Sequence, residues 1–181
     1  MKHSAVAIAA IIGLTLAPSA RAQSSLHLGL AGGAAIPVGK LDGNYSTGAA
    51  GLATLSIGPR ESPLGMRIDY GYAGFNGKTA AGARVPDIHI SSLSANLVVA
   101  FRVGYVKPYL VGGAGWYPLR LAGAAKREND FGANGGAGVA FPIPYTSIGA
   151  FIEARYHDVN RSATTPYTSI HYIPVTFGVM F

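Results

Sequence analysis

The feature that most constrains this chain is an alternation of period two that returns segment after segment from residue 26 to the last residue. In an extended strand successive side chains point to opposite faces, so such a segment has two distinct rows. Leu26, Leu28 and Leu30 form one row, with His27, Gly29 and Ala31 between them. Leu55 and Ile57 end a second segment; Ile68, Tyr70 and Tyr72 alternate with Arg67, Asp69 and Gly71 in a third. In the fourth, Leu93, Ala95, Leu97, Val99 and Phe101 alternate with Ser92, Ser94, Asn96, Val98 and Ala100. Tyr109 to Tyr117 makes a fifth segment, and the glycine-laden Ala133 to Phe141 a sixth. Ile152, Ala154 and Tyr156 alternate with Glu153, Arg155 and His157 in the seventh. The last is the clearest: Ile173, Val175, Phe177, Val179 and Phe181 stand in one row, with Tyr172, Pro174, Thr176, Gly178 and Met180 in the other. Each segment is read as about 9 to 11 residues, the length a tilted strand needs to cross a hydrocarbon layer.

The start of the chain reads differently. Met1-Lys2-His3 is basic, Ala5 to Leu16 is apolar, and Ala20-Arg21-Ala22 supplies a small-x-small cleavage pattern. We therefore expect residues 1–22 to be a cleavable signal peptide and residues 23–181 to be a single β-barrel domain. The apolar run is too short for a spanning helix, which needs about 20 residues. The chain has no cysteine, so disulfide frameworks and thiolate metal sites are excluded. A chain without thiols also crosses an oxidising periplasm without mispairing.

Connections between the segments alternate in length. Gly58 to Gly65, Arg102 to Lys107 and Pro142 to Ser147 are short, whereas Gly39 to Gly48, Asn76 to Asp87, Pro118 to Asp130 and Val159 to Ser169 are longer and more polar. Short turns at one end and long loops at the other mark an outer-membrane barrel. The soluble rivals, a lipocalin-like barrel or a sandwich, would place the polar row in water. Only 12% of residues are charged, against the roughly 25–35% of a soluble surface. The apolar row is therefore assigned to lipid and the small or polar row to the interior. The expected fold is an all-β, eight-stranded, antiparallel up-and-down transmembrane barrel, because strands cross hydrocarbon only as a closed sheet.

An eight-stranded barrel has an interior that side chains can fill. Arg67, Asp69, Glu153 and Arg155 all fall on inward rows, and their charges cancel. Two carboxylates can serve acid–base chemistry, but two arginines in the same rows favour a structural salt-bridge network.

Several stretches resemble the opacity-protein and outer-membrane-protein-X-like family of small barrels: "LHLGLAGGAAIPVG" from Leu26, "KPYLVGGAGWY" from Lys107, "GANGGAGVAF" from Gly132, "FIEARYHDV" from Phe151, and the ending "YIPVTFGVMF". The resemblance covers essentially all of residues 23–181. It implies residence in the outer membrane and insertion by the barrel-assembly machinery, which would read Phe177, Val179 and Phe181 on the last strand. It does not imply one activity, since members act as adhesins, resistance factors, small pores or anchors.

Other chemistry finds little support in the residues. The glycine clusters at 112–115 and 135–138 do not match a phosphate-binding G-x-G-x-x-G that opens a helix. His27, His89, His157 and His171 lack zinc-site spacing on one element, so neither metal nor cofactor is expected. A lipid hydrolase would need a serine, a histidine and an orienting group together; Val159 stands where a serine would follow His157, and His89-Ile90-Ser91 lies in another part of the chain. A non-enzymatic protein is expected, with a narrow solute channel and a lipid A hydrolase as alternatives. Lys40, Lys78, Arg84, Arg120, Lys126, Arg127 and Arg161 fall on the longer loops. They are candidates for contacting phosphates of lipopolysaccharide, beside an unidentified loop ligand. No basic aromatic surface suggests nucleic acid as a partner.

Overall fold

The computed structural model describes residues 24–59, 63–80, 83–122, 128–161 and 169–181. The expected leader and loop residues Lys126 and Arg127 lie outside the described residues. Eight long strands close into a barrel: β1 (Ser24–Val38), β2 (Tyr45–Pro59), β3 (Leu64–Gly77), β6 (Ile88–Ala100), β7 (Lys107–Leu121), β8 (Glu128–Pro142), β9 (Gly149–Asn160) and β10 (Ser169–Met180). The two-residue strands β4 (Thr79–Ala80) and β5 (Ala83–Arg84) form a small hairpin between β3 and β6. Every neighbouring pair is antiparallel, and β1 pairs with both β2 and β10 to shut the sheet. Leu28 and Phe181 exchange backbone hydrogen bonds of 3.1 and 2.7 Å at the seam. Closure leaves no strand edge, as hydrocarbon requires.

The faces divide by period two. Leu26, Leu28, Leu30, Ile68, Tyr70, Leu93, Leu97, Leu110, Trp116, Ile152, Tyr156 and Phe177 are exposed on the outside, so the apolar row is the lipid-facing one. The inward row carries Arg67, Asp69, Ser92, Ser94, Asn96, Glu153, Arg155 and Thr176, all buried. Inward glycines make the crowding possible. A Cβ on Gly138 would lie 2.4 Å from the Tyr109 ring, and one on Gly29 would lie 2.6 Å from Thr54 Cγ2.

The strands run 12 to 15 residues rather than about 9 to 11. The extra length lies mostly at the long-loop end, where Pro118–Leu121 and Glu128–Asp130, read from sequence as loop, continue the ladder. Their inward members Leu119 and Asp130 are buried. Polar sequence is therefore compatible with strand there, because the ladder continues past the hydrocarbon and buries only alternate residues. The connections at 39–44 and 78–87 are accordingly shorter than the expected loops 39–48 and 76–87. At the opposite end a tight turn runs through Gly104, whose φ of +60° suits a residue without a Cβ.

Candidate functional site

The lumen is layered along the barrel axis. At the short-turn end a vestibule of about 380 Å³ is lined by His27, Ser56, Lys107 and Ala140, and reaches Arg67 and Tyr109.

Arg67 and Tyr109 belong to the next layer, a ring of charge made by β3 and β9. Arg67 Nη2 donates to Glu153 at 2.7 Å, and its Nε donates to Asp69 at 3.0 Å. Arg155 Nη1 donates to Asp69 at 2.8 Å, and its Nε donates to Glu153 at 3.0 Å. Each arginine thus touches both carboxylates, and positive and negative groups alternate around the ring. Tyr109 adds its hydroxyl to Glu153 at 2.9 Å and its ring beneath the Arg67 guanidinium. Asn96 donates to Asp69 at 2.8 Å. The four ionic side chains are 1 to 3% exposed. Buried charges persist when they are paired and hydrogen-bonded, and this ring meets both conditions without net charge.

Above the ring is a small space of about 30 Å³ lined by Asp69, Ser92, Ser94, Glu153, Arg155, His157 and Thr176. It is the size of one or two water molecules. Above that the lumen turns apolar. Phe75, Ile90, Tyr117, Leu119, Ile170 and Tyr172 pack there with Leu41, which sits on a short 3₁₀ turn (Gly39–Leu41) folded over the mouth. His157 joins the two layers. Its Nδ1 lies 3.1 Å from the Tyr117 hydroxyl, and its ring stacks on Tyr172 at 4.7 Å.

The basic residues of the loop end take several positions. Lys40 and Arg120 are exposed. Lys78 lies 3.6 Å from Asp42, and Arg84 lies 3.4 Å from Asp87. Asp87 also accepts the Gly77 backbone N–H at 2.8 Å. That bond, with Arg84 beside it, holds the Asp87 carboxyl below the ordinary carboxylate range. Arg161 is turned onto Glu128 and Asp130, with its side chain 5% exposed. Its guanidinium therefore faces carboxylates of β8.

On the outer wall, Phe177, Val179 and Phe181 form one exposed row on the last strand. Two histidines also face outward near the loop end. His89 stacks on Tyr72, whose hydroxyl lies 2.8 Å from His89 Nδ1. His171 stacks on Tyr156, and it has Ser169 Oγ 2.9 Å from Nε2 and Asp158 Oδ1 3.3 Å from Nδ1. The sequence reading missed this group. Ser169 and His171 alternate on one row, but Asp158 joins them only because the β9–β10 register sets it opposite His171.

Comparisons with known proteins agree with this architecture. The structure resembles Neisserial surface protein A with a TM-score of 0.65 and 18% identity, over 87% of this chain and 97% of that one. The N-terminal β-barrel domain of Pseudomonas aeruginosa OprF matches at 0.51 and 14% identity, over 86% and 97% of the two chains. The outer membrane protein OprG from Pseudomonas aeruginosa also matches at 0.51, with 13% identity over 87% and 97%. No curated protein matches the sequence. The family described as the outer membrane protein beta-barrel domain matches residues 6–181. The chain therefore belongs to the outer membrane protein β-barrel family and resides in the bacterial outer membrane.

Proposed function

We propose that this barrel is a non-conducting scaffold whose specific work is binding at its loop end, and that the lumen carboxylates are structural rather than catalytic. The observation that carries the reading is the alternating ring of Arg67, Asp69, Glu153 and Arg155, roofed by Phe75, Ile90, Leu119 and Tyr172. A solute path would have to part charge pairs of 2.7 to 3.0 Å and then an apolar layer. In this reading the exposed Lys40 and Arg120 contact lipopolysaccharide phosphates, and the loops hold any further ligand. Lys126 and Arg127 are assigned to the same role from sequence. The outward row of Phe177, Val179 and Phe181 serves the barrel-assembly machinery during insertion. The test is single-channel recording of the folded protein in a planar bilayer, with closure of the barrel verified by heat-modifiable gel mobility. Silence is the expected result. Stable, discrete openings would overturn the scaffold reading and make solute passage the function.

A further inference from the structure

We infer that Ser169, His171 and Asp158 form a nucleophile, base and orienting acid on the outer wall, directed at acyl esters of outer-leaflet lipids. This goes beyond the binding role proposed above and departs from the expectation of a wholly non-catalytic barrel. It does not depend on whether the lumen conducts.

The geometry supplies the parts of a hydroxyl nucleophile in order. A serine hydroxyl is a weak nucleophile until a neighbouring base accepts its proton, and the base works best when a carboxylate fixes its other nitrogen. Ser169 Oγ stands 2.9 Å from Nε2 of His171, within proton-transfer distance. Asp158 Oδ1 stands 3.3 Å from Nδ1 on the far side of the same ring. Neither of these last two atoms has another hydrogen-bond partner, so the carboxylate faces the imidazole as a close charge contact rather than as a formed hydrogen bond. Tyr156 stacks on the imidazole at 5.7 Å with an interplanar angle of 15° and so holds its plane. All four side chains sit on the outward rows of adjacent strands, where pairing sets His171 directly opposite Asp158.

The other outward histidine shows what a purely structural version of this site looks like. His89 also stacks on a tyrosine, and Ser91 follows it on the same row. There Nδ1 lies beside the Tyr72 hydroxyl, and the residues opposite His89 are Gly74 and Arg120. Both sites present the tyrosine–histidine stack expected near a membrane interface. Among the described residues, His171 is the histidine with a serine hydroxyl at 2.9 Å from one ring nitrogen and a carboxylate oxygen at 3.3 Å from the other.

Depth selects the substrate class. His171 lies ten residues before Phe181 on the same strand. At ~3.4 Å per residue and a tilt of ~40° that is about 26 Å along the membrane normal. The apolar band of such barrels is ~25 Å tall. With Phe181 at the inner interface, His171 comes level with the outer one and Ser169, two residues earlier, lies about 5 Å above it, in the layer where lipid ester carbonyls border the headgroups. In the reaction Ser169 Oγ bonds to the ester carbonyl carbon and its proton passes to His171 Nε2. The carbon–alkoxide bond then breaks, and the alkoxide leaves with that proton. Water cleaves the acyl-serine by the same route, so that one ester and one water yield one fatty acid and one alcohol.

The experiment treats the folded full-length barrel, purified from outer membranes, with an alkyl fluorophosphonate, and locates the label by mass spectrometry. In parallel, fatty acid release is measured from vesicles of phospholipid alone and from vesicles that also contain lipopolysaccharide. The expected result is label on Ser169, with release falling at least about a hundredfold in Ser169→Ala and His171→Gln. Asp158→Asn should give a smaller loss, and Ser91→Ala none. Release from only one kind of vesicle identifies the lipid. A barrel that is heat-modifiable, yet neither labels at Ser169 nor releases more fatty acid than Ser169→Ala from either vesicle, overturns the inference.

Discussion

Replacing Glu153 by leucine tests the charge ring most directly. Glu153 accepts from Arg67, Arg155 and Tyr109, so its loss removes half of the ring's ionic contacts and leaves the lumen with one excess positive charge. Breaking a buried ion pair from one side costs about 3–5 kcal/mol. The Tyr109 hydroxyl loses its acceptor as well, whereas each arginine keeps Asp69 at 2.8 or 3.0 Å. These effects pull in opposite directions, and we expect a destabilisation of about 4 kcal/mol. The informative partner is Arg67→Met. In the double variant Arg155 and Asp69 remain as a neutral pair at 2.8 Å. The double variant should therefore be more stable than Glu153→Leu alone, by about 2 kcal/mol. Urea unfolding from lipid vesicles can be followed by the fluorescence of Trp116, the only tryptophan, which faces outward. A Glu153→Leu variant within about 1 kcal/mol of wild type, or a double variant whose loss equals the sum of its two singles, would refute the ring as a coupled unit.

Other outcomes follow from the same structure. Gly138→Ala brings a methyl group against the Tyr109 ring and should cost about 1–3 kcal/mol in the same unfolding assay. Phe177→Lys puts a charge on the lipid face four residues from the end of the chain. Four residues from Phe181 place it about 10 Å into the apolar band, so it should cost about 2–4 kcal/mol, seen as a lower urea midpoint and slower heat-modifiable folding in vitro. Asp87 has its carboxyl held below the ordinary range by the Gly77 N–H. A group whose folded value is depressed contributes stability that is present above its unfolded value and lost as pH falls through the folded one. The Gly77 amide should therefore stay protected from hydrogen exchange at neutral pH and lose protection only as pH falls below the ordinary aspartate range, with Asp87→Asn weakening it at neutral pH.

The alternation of rows, the inward position of Arg67, Asp69, Glu153 and Arg155, and the lipid-facing position of Phe177, Val179 and Phe181 were all legible in the sequence. Each follows from the pleat of one strand, which sends neighbouring side chains to opposite faces whatever the rest of the chain does. The number of strands was legible for a similar reason, since each alternating segment is bounded by turn residues. Strand ends were not, because beyond the hydrocarbon a polar residue suits a loop and the outer face of a strand equally well, as at Pro118–Leu121.

What crosses from strand to strand belonged to the tertiary structure. Arg67 and Glu153 are 86 residues apart and meet at 2.7 Å because the sheet closes with a particular stagger. Arg161 looks like a free loop cation in the sequence, but strand pairing brings it onto Glu128 and Asp130. Asp158 reaches His171 through the β9–β10 register, and a shift of one residue there would turn it to the other face. Stagger and register are set by all eight strands closing together, so no single segment encodes them, whereas the pleat is written into each.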